Sequence, residues 1–137
     1  MRLCYSSLLM LLSASAFAAD DHDHRTELHR VPINSSTPQD MIVSTAEYEP
    51  NATLVRHFHR GIEAAYVVQG AQVQTPKGVM TLSTGQSVVH LRDVLHGGFQ
   101  VIGDTPLKLF MVHVVDQGQP LYHRSEEHTS ELQSRQC

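Results

Sequence analysis

His57-Phe-His-Arg-Gly-Ile-Glu-Ala-Ala-Tyr-Val-Val-Gln-Gly70 is the stretch around which this 137-residue chain is organised. His57 and His59 are two apart, so on an extended strand both imidazoles leave the same face while Phe58 points to the other. Arg60-Gly61-Ile62 is short enough to be a turn, and Glu63 opens a second run whose start lies beside the end of the first. Two neutral nitrogens and one carboxylate can therefore converge on one point, as a metal chelate requires.

A fourth donor, His96, stands in Gly85-Gln-Ser-Val-Val-His-Leu-Arg-Asp-Val-Leu-His-Gly-Gly-Phe-Gln100, which reads as strand, turn and strand. A single histidine on a strand is ordinarily a partly exposed or hydrogen-bonded residue, but four donors at two matching spacings are hard to obtain by chance. His57-x-His59-x3-Glu63-x6-Gly70 resembles the first motif of the cupin family, and Gly85, His96 and Gln100 keep the spacing of the second. Leu91 and Asp93 stand where the family prefers Pro and Gly, Gln100 where Asn is common, and Asn51 where a Gly often precedes the first His. Those departures bear on turn geometry; all four ligand positions, His57, His59, Glu63 and His96, are filled.

The pattern around the motifs is all-β. Residues 41–47, 52–59, 63–69, 71–74, 79–82, 87–91, 95–101 and 107–115 are short strand-like runs, and Pro50-Asn51, Thr75 to Gly78 and Gly103 to Pro106 supply turns between them. No stretch carries long helical periodicity. Such a series fits an antiparallel double sheet, and the resemblance, which covers residues 41–115, narrows it to a cupin jelly-roll barrel. No internal repeat is present, so one barrel is expected.

The ends read differently. Met1-Arg2, the apolar run Leu8 to Leu12 and Ala16-Phe17-Ala18 form a secretory signal peptide over residues 1–18, too short in its apolar part to span a bilayer. Periplasmic or secreted location follows as the expectation. Residues 19–40 are a polar, mobile leader containing His22 and His24, and residues 41–123 are the cupin domain. From Arg124 to Ser134 the chain matches the translation of a widely used sequencing adapter, so residues 124–137 are expected to lie outside the domain. The two cysteines, Cys4 and Cys137, fall in these terminal segments, which leaves no thiolate metal site or disulfide in the body.

With 10 Lys and Arg against 14 Asp and Glu the net charge is −4, and no basic cluster appears. Nucleic acid and anionic membrane surfaces are therefore poor partners. The donor set suits a divalent Fe, Mn, Ni, Zn or Cu ion and does not choose among them. An ion that accepts six ligands would keep two positions for water, dioxygen or a bidentate small molecule. Related cupins include dioxygenases, isomerases and decarboxylases as well as proteins with no demonstrated reaction, and a homodimer is the common assembly. Two classes stay open: a metal-dependent oxygenase or isomerase acting on a small oxygenated molecule, and a noncatalytic module that retains metal or a metal-ligated molecule.

Further polar candidates come from strand parity. Gln100 shares parity with His96 and is expected to reach the pocket, unless the strand bends at Gly97-Gly98. His113 alternates with Met111 on the last strand and is expected to line the barrel, or else to be a buried, hydrogen-bonded histidine. His90 stands behind the ligands or in a structural role. Tyr66 has the opposite parity to Glu63 and is not a candidate acid.

Overall fold

The computed structural model describes residues 24–125. Signal-peptide residues 1–18, the leader as far as residue 23 and the adapter-like residues 126–137 lie outside that range. The elements are β1 (Arg25–Ile33), β2 (Gln39–Tyr48), β3 (Thr53–Leu54), β4 (His57–Phe58), β5 (Gly61–Gln69), β6 (Ala71–Thr75), β7 (Gly78–Leu82), β8 (Ser87–His90), β9 (Phe99–Ile102), β10 (Leu107–Asp116) and β11 (His123–Arg124). They form a five-stranded sheet ordered β1-β2-β10-β5-β8, a four-stranded sheet ordered β3-β9-β6-β7 and a two-stranded ribbon of β11 and β4. Every pairing is antiparallel. The all-β, antiparallel double-sheet jelly roll expected from the sequence is the architecture found. Among the described residues no helix is long and apolar enough to cross a membrane.

Alternation builds the core. On β5, Gly61, Glu63, Ala65 and Val67 are buried while Ile62, Ala64, Tyr66 and Val68 are exposed. β2 and β10 present Ala46, Tyr48, Leu107 and Met111 to the same interior, and the second sheet supplies Val73 and Val101. Removing these apolar faces from water is the main favourable term for a chain of this size. Glu63 thus occupies one position of an otherwise apolar inner face, which is why its chemistry dominates that end of the barrel.

Two expectations about the ends need correction. Most of the segment read as a mobile leader, residues 19–40, is ordered: β1 pairs along β2 from Arg25 opposite Ala46 to Ile33 opposite Gln39. Its side chains are largely exposed, so backbone hydrogen bonding to the sheet edge orders it rather than apolar burial. At the other end, Arg124 pairs with His57 in the β11–β4 ribbon, so the domain includes at least this first residue of the adapter-like segment. A ladder needs only backbone N–H and C=O groups, and that pairing is indifferent to where the side chain came from.

Candidate metal centre

β4, the Arg60 corner and the start of β5 carry His57, His59 and Glu63, and the chain returns beside them at His96. His57 and His96 bridge each other through the backbone, with His57 N–H to His96 O at 3.0 Å and His96 N–H to His57 O at 2.8 Å. Asp93 is tied to the same corner: its N–H meets His59 O at 3.0 Å and its carboxylate accepts from Arg60 Nη1 at 3.1 Å. Asn51 and Asp93, which stand at the two positions where the resemblance expects Gly, are the described non-glycine residues with positive φ, at 72° and 60°. Asn and Asp tolerate that region better than other side chains, so the turns survive the replacements.

The ligand atoms of His57, His59, Glu63 and His96 lie within 4.8 Å of one another. His59 Nε2 and His96 Nε2 are each 3.0 Å from Glu63 Oε2, and the two nitrogens are 3.1 Å apart. Behind each imidazole is a backbone carbonyl: Val55 O at 2.7 Å from His57 Nδ1, Leu121 O at 2.6 Å from His59 Nδ1 and Val94 O at 3.0 Å from His96 Nδ1. A carbonyl only accepts, so each Nδ1 must donate and each neutral ring turns an Nε2 lone pair toward the centre. Three lone pairs and a carboxylate on one point require a cation between them, either protons or a metal. The donor set fits a divalent metal, and the outer carbonyls are the partners that orient metal-bound histidines.

Burial would raise the pKa of Glu63, but hydrogen bonds that His59 and His96 donate when a proton sits on Nε2 in place of a metal, reinforced by the nearby imidazoles, outweigh it and hold the carboxyl far below its ordinary range. Burial lowers His57 to about 3, so it is neutral and ready to ligate. Burial also lowers His113 to about 3. An unfolded histidine takes a proton near pH 6.5 whereas these two do not until about pH 3, so the unfolded state binds more protons throughout that interval. The metal-free protein should therefore lose stability as pH falls from 6.5 towards 3, by up to about 1.4 kcal/mol per pH unit for each histidine. Urea titrations at a series of pH values check this; a flat profile over that interval would contradict the burial of both neutral rings.

The other sequence candidates separate. Gln100 is exposed, and its Nε2 donates to Asn51 O at 3.1 Å, away from the centre. Gly97 and Gly98 both have positive φ, at 73° and 76°, and parity does not pass through two such residues. Phe99 and Val101 point inward instead. A Cβ on Gly97 would stand 3.0 Å from Val55 O and 3.2 Å from His57 Nδ1, so this glycine lets the chain cross over the first ligand. His113 is fully buried against His59, with ring centroids 4.7 Å apart and its Nε2 3.9 Å from Glu63 Oε2. Neither of its nitrogens has a hydrogen-bond partner among the described residues, so it packs behind the ligands and is not the hydrogen-bonded histidine offered as the alternative. His90 stacks on His96 at 3.8 Å with 5° between the planes and lines the cavity. Tyr66 faces outward.

Sequence reasoning passed over Leu121 and Tyr122. The Leu121 carbonyl anchors His59, and the Tyr122 ring packs edge-on against His57 at 4.6 Å and His59 at 5.2 Å. The available signal was an apolar and aromatic pair directly after the Gly118 to Pro120 turn. Ending the chain at Pro120 should weaken Zn²⁺ binding about 10- to 100-fold, the usual cost of losing an outer partner of a ligand. Competition against a chelator measures this, and unchanged affinity would mean that water replaces the carbonyl.

The ligands open onto a cavity of about 290 Å³ between the sheets. Its walls include Leu54, Val73, Leu82, Phe99 and Met111, with His57, Glu63, His90, His96 and Tyr122 around the metal position. The barrel is therefore not filled by side chains.

No family model and no curated protein matches the sequence. Among solved structures, the chain is similar to an uncharacterised conserved protein with a double-stranded β-helix domain from Klebsiella pneumoniae, at 20% identity over 70% of this chain and 84% of that one, with a TM-score of 0.47. It is also similar to a cupin domain from Bordetella pertussis, at 18% identity over 65% of this chain and 96% of that one, TM-score 0.41. A cupin superfamily protein from Desulfitobacterium hafniense matches at 12% identity over 66% and 82% of the two chains, TM-score 0.42. The chain's own sheet order, antiparallel pairing and gathered motif residues establish its architecture, and by them this is a chain with the cupin fold.

Proposed function

We propose that this protein is a periplasmic, metal-binding single-domain cupin that acts on a small oxygenated organic molecule as a metal-dependent oxygenase or isomerase. The observation that carries the metal assignment is the set of three backbone carbonyls behind His57, His59 and His96, which leave each Nε2 lone pair free for the point where the Glu63 carboxylate also converges. Fe, Mn, Ni, Zn and Cu ions all accept such donors. When bound, the ion supplies Lewis acidity and open coordination positions. The protein's part is to hold Glu63 ionised and His57 neutral, to seat the substrate body in the mostly apolar cavity and to exclude water from it. His90 and Tyr122 are the side chains beyond the four donors that border the cavity at its polar end. Periplasmic location rests on the signal-peptide pattern of residues 1–18. An expected homodimer would have the outer sheet face available, where Ile62, Tyr66, Val89 and Phe110 are exposed.

A noncatalytic binding module is the second reading. It is favoured by the outward turn of Gln100, which removes the amide expected to contact substrate from the cavity. The test is elemental analysis of protein purified from the periplasmic fraction, followed by turnover assays with and without oxygen. Stoichiometric metal with turnover supports the enzyme, and stoichiometric metal without turnover supports the module. Protein that takes up no divalent metal refutes both.

A further inference from the structure

We infer that the cavity selects an uncharged molecule with an apolar body and an oxygen-bearing head, an inference that rests on the metal centre and specifies the substrate class of the same site. The distribution of lining groups carries it. Among the lining residues there is no Lys, Arg or Asp, and the one Glu is the candidate ligand Glu63. The imidazoles and the Tyr122 ring gather at the metal end, the body of the cavity is walled mostly by Leu54, Val67, Val73, Leu82, Phe99 and Leu109, and Tyr48, Gln86 and Ser87 add only uncharged polar groups. An anionic group seated against those walls would lose its hydration with no guanidinium or ammonium to replace it.

The entrance is likewise free of charged side chains, with Gln86 and Ser87 beside an apolar pair. Met80 on β7 and Val88 on β8 line the cavity yet remain 47% and 43% exposed. They lie on the terminal strands of the two sheets, so the mouth opens between the sheet edges. Edge strands are usually guarded by charge, and apolar side chains on both sides of a cavity mouth are instead suited to an apolar ligand passing between them. At about 30 Å³ for each water-sized group, the cavity holds roughly ten such groups, the size of a monocyclic compound with a short substituent. The imidazoles and the Glu63 carboxylate at one end of a mostly apolar, otherwise uncharged pocket orient a ligand head-first toward the metal position.

The test compares two probes with the same two-oxygen head, methyl 3,4-dihydroxybenzoate and 3,4-dihydroxybenzoate, by calorimetric titration at pH 7. The full chain is loaded with Zn²⁺, which is redox-inert and leaves both probes intact, and its metal content is measured independently. The neutral ester should bind about 30-fold more tightly than the acid, because only the acid carries a charge into the apolar body. Met80→Arg, a change at a half-exposed mouth position that spares the core, should narrow that ratio to about threefold by pairing with the acid. Zn²⁺-loaded protein that binds the acid as tightly as the ester, or binds neither, overturns the inference and leaves the metal centre standing. Protein that takes up no Zn²⁺ overturns the metal centre, and this inference with it.

Discussion

His59→Ala should cost at least ~100-fold in divalent metal affinity while leaving a folded, metal-free domain. His59 is the central donor of the set, 3.0 Å from Glu63 Oε2 and 3.1 Å from His96 Nε2, and its ring also touches His57, His113 and Tyr122. Alanine removes the donor and the hydrogen bond to Leu121, so the C-terminal segment loses one of its links to the centre along with the metal, while its backbone pairing with β4 remains. The fold should persist because the apolar core cluster, which includes Tyr48, Val67, Val73, Val101 and Leu107, does not contain His59. A void in place of a side chain that is 1% exposed will still lower the unfolding free energy, by about 2 kcal/mol.

Metal and protons compete for the same Nε2 lone pairs, so wild-type affinity should fall as pH is lowered, and the variant's residual affinity should fall less steeply because one competing site is gone. Chelator competition at several pH values reads both quantities. Wild-type affinity with wild-type pH dependence in folded His59→Ala would remove His59 from the ligand set. Glu63→Gln makes the complementary test: it keeps the shape of the side chain and removes the negative charge that faces the imidazoles.

The motif was readable because a short chelate is a local property. His57 and His59 need only one extended residue between them, and Glu63 only a corner, so spacing carried the geometry across those seven positions. β5 and β10 were readable as continuous runs rich in β-branched and aromatic residues bounded by turns, but not as to which face is inward, since Ile62, Tyr66 and Val68 are exposed while Glu63 is buried. β1 was not, because Arg25–Ile33 sits at a sheet edge with both faces largely exposed, and an edge strand ordered by its backbone leaves little compositional trace. Gln100 was misplaced by extending parity from His96 through Gly97 and Gly98, where positive φ turns the chain over. Parity with Met111 placed His113 on the inner face, but its position opposite Glu63 came only from the register of β10 against β5. Leu121 contributes a carbonyl rather than a side chain and acts on a residue 62 positions away, so no motif could name it.

Gly61→Ala should be the most damaging substitution of a single methyl group in the domain. Gly61 opens β5 opposite Val115 of β10, where a Cβ would stand 2.0 Å from Val114 O and 2.6 Å from Val115 Cα. Both contacts are backbone atoms of a central strand, so no side-chain rotation relieves them, and the two strands must part locally. The separation would strain the adjoining Asp116 N–H to Arg60 O hydrogen bond of 2.9 Å and the Val114–Ile62 register. A loss of about 3 kcal/mol in unfolding free energy is expected, at the upper end for overpacking. The metal centre should suffer too, since Gly61 lies midway between His59 and Glu63 and any shift of this corner alters the distance between two ligands. Urea unfolding of the metal-free protein reports the first effect and chelator competition at a urea-free, folded temperature the second. Near-wild-type stability together with near-wild-type metal affinity would show that β5 and β10 do not approach as closely as this register requires.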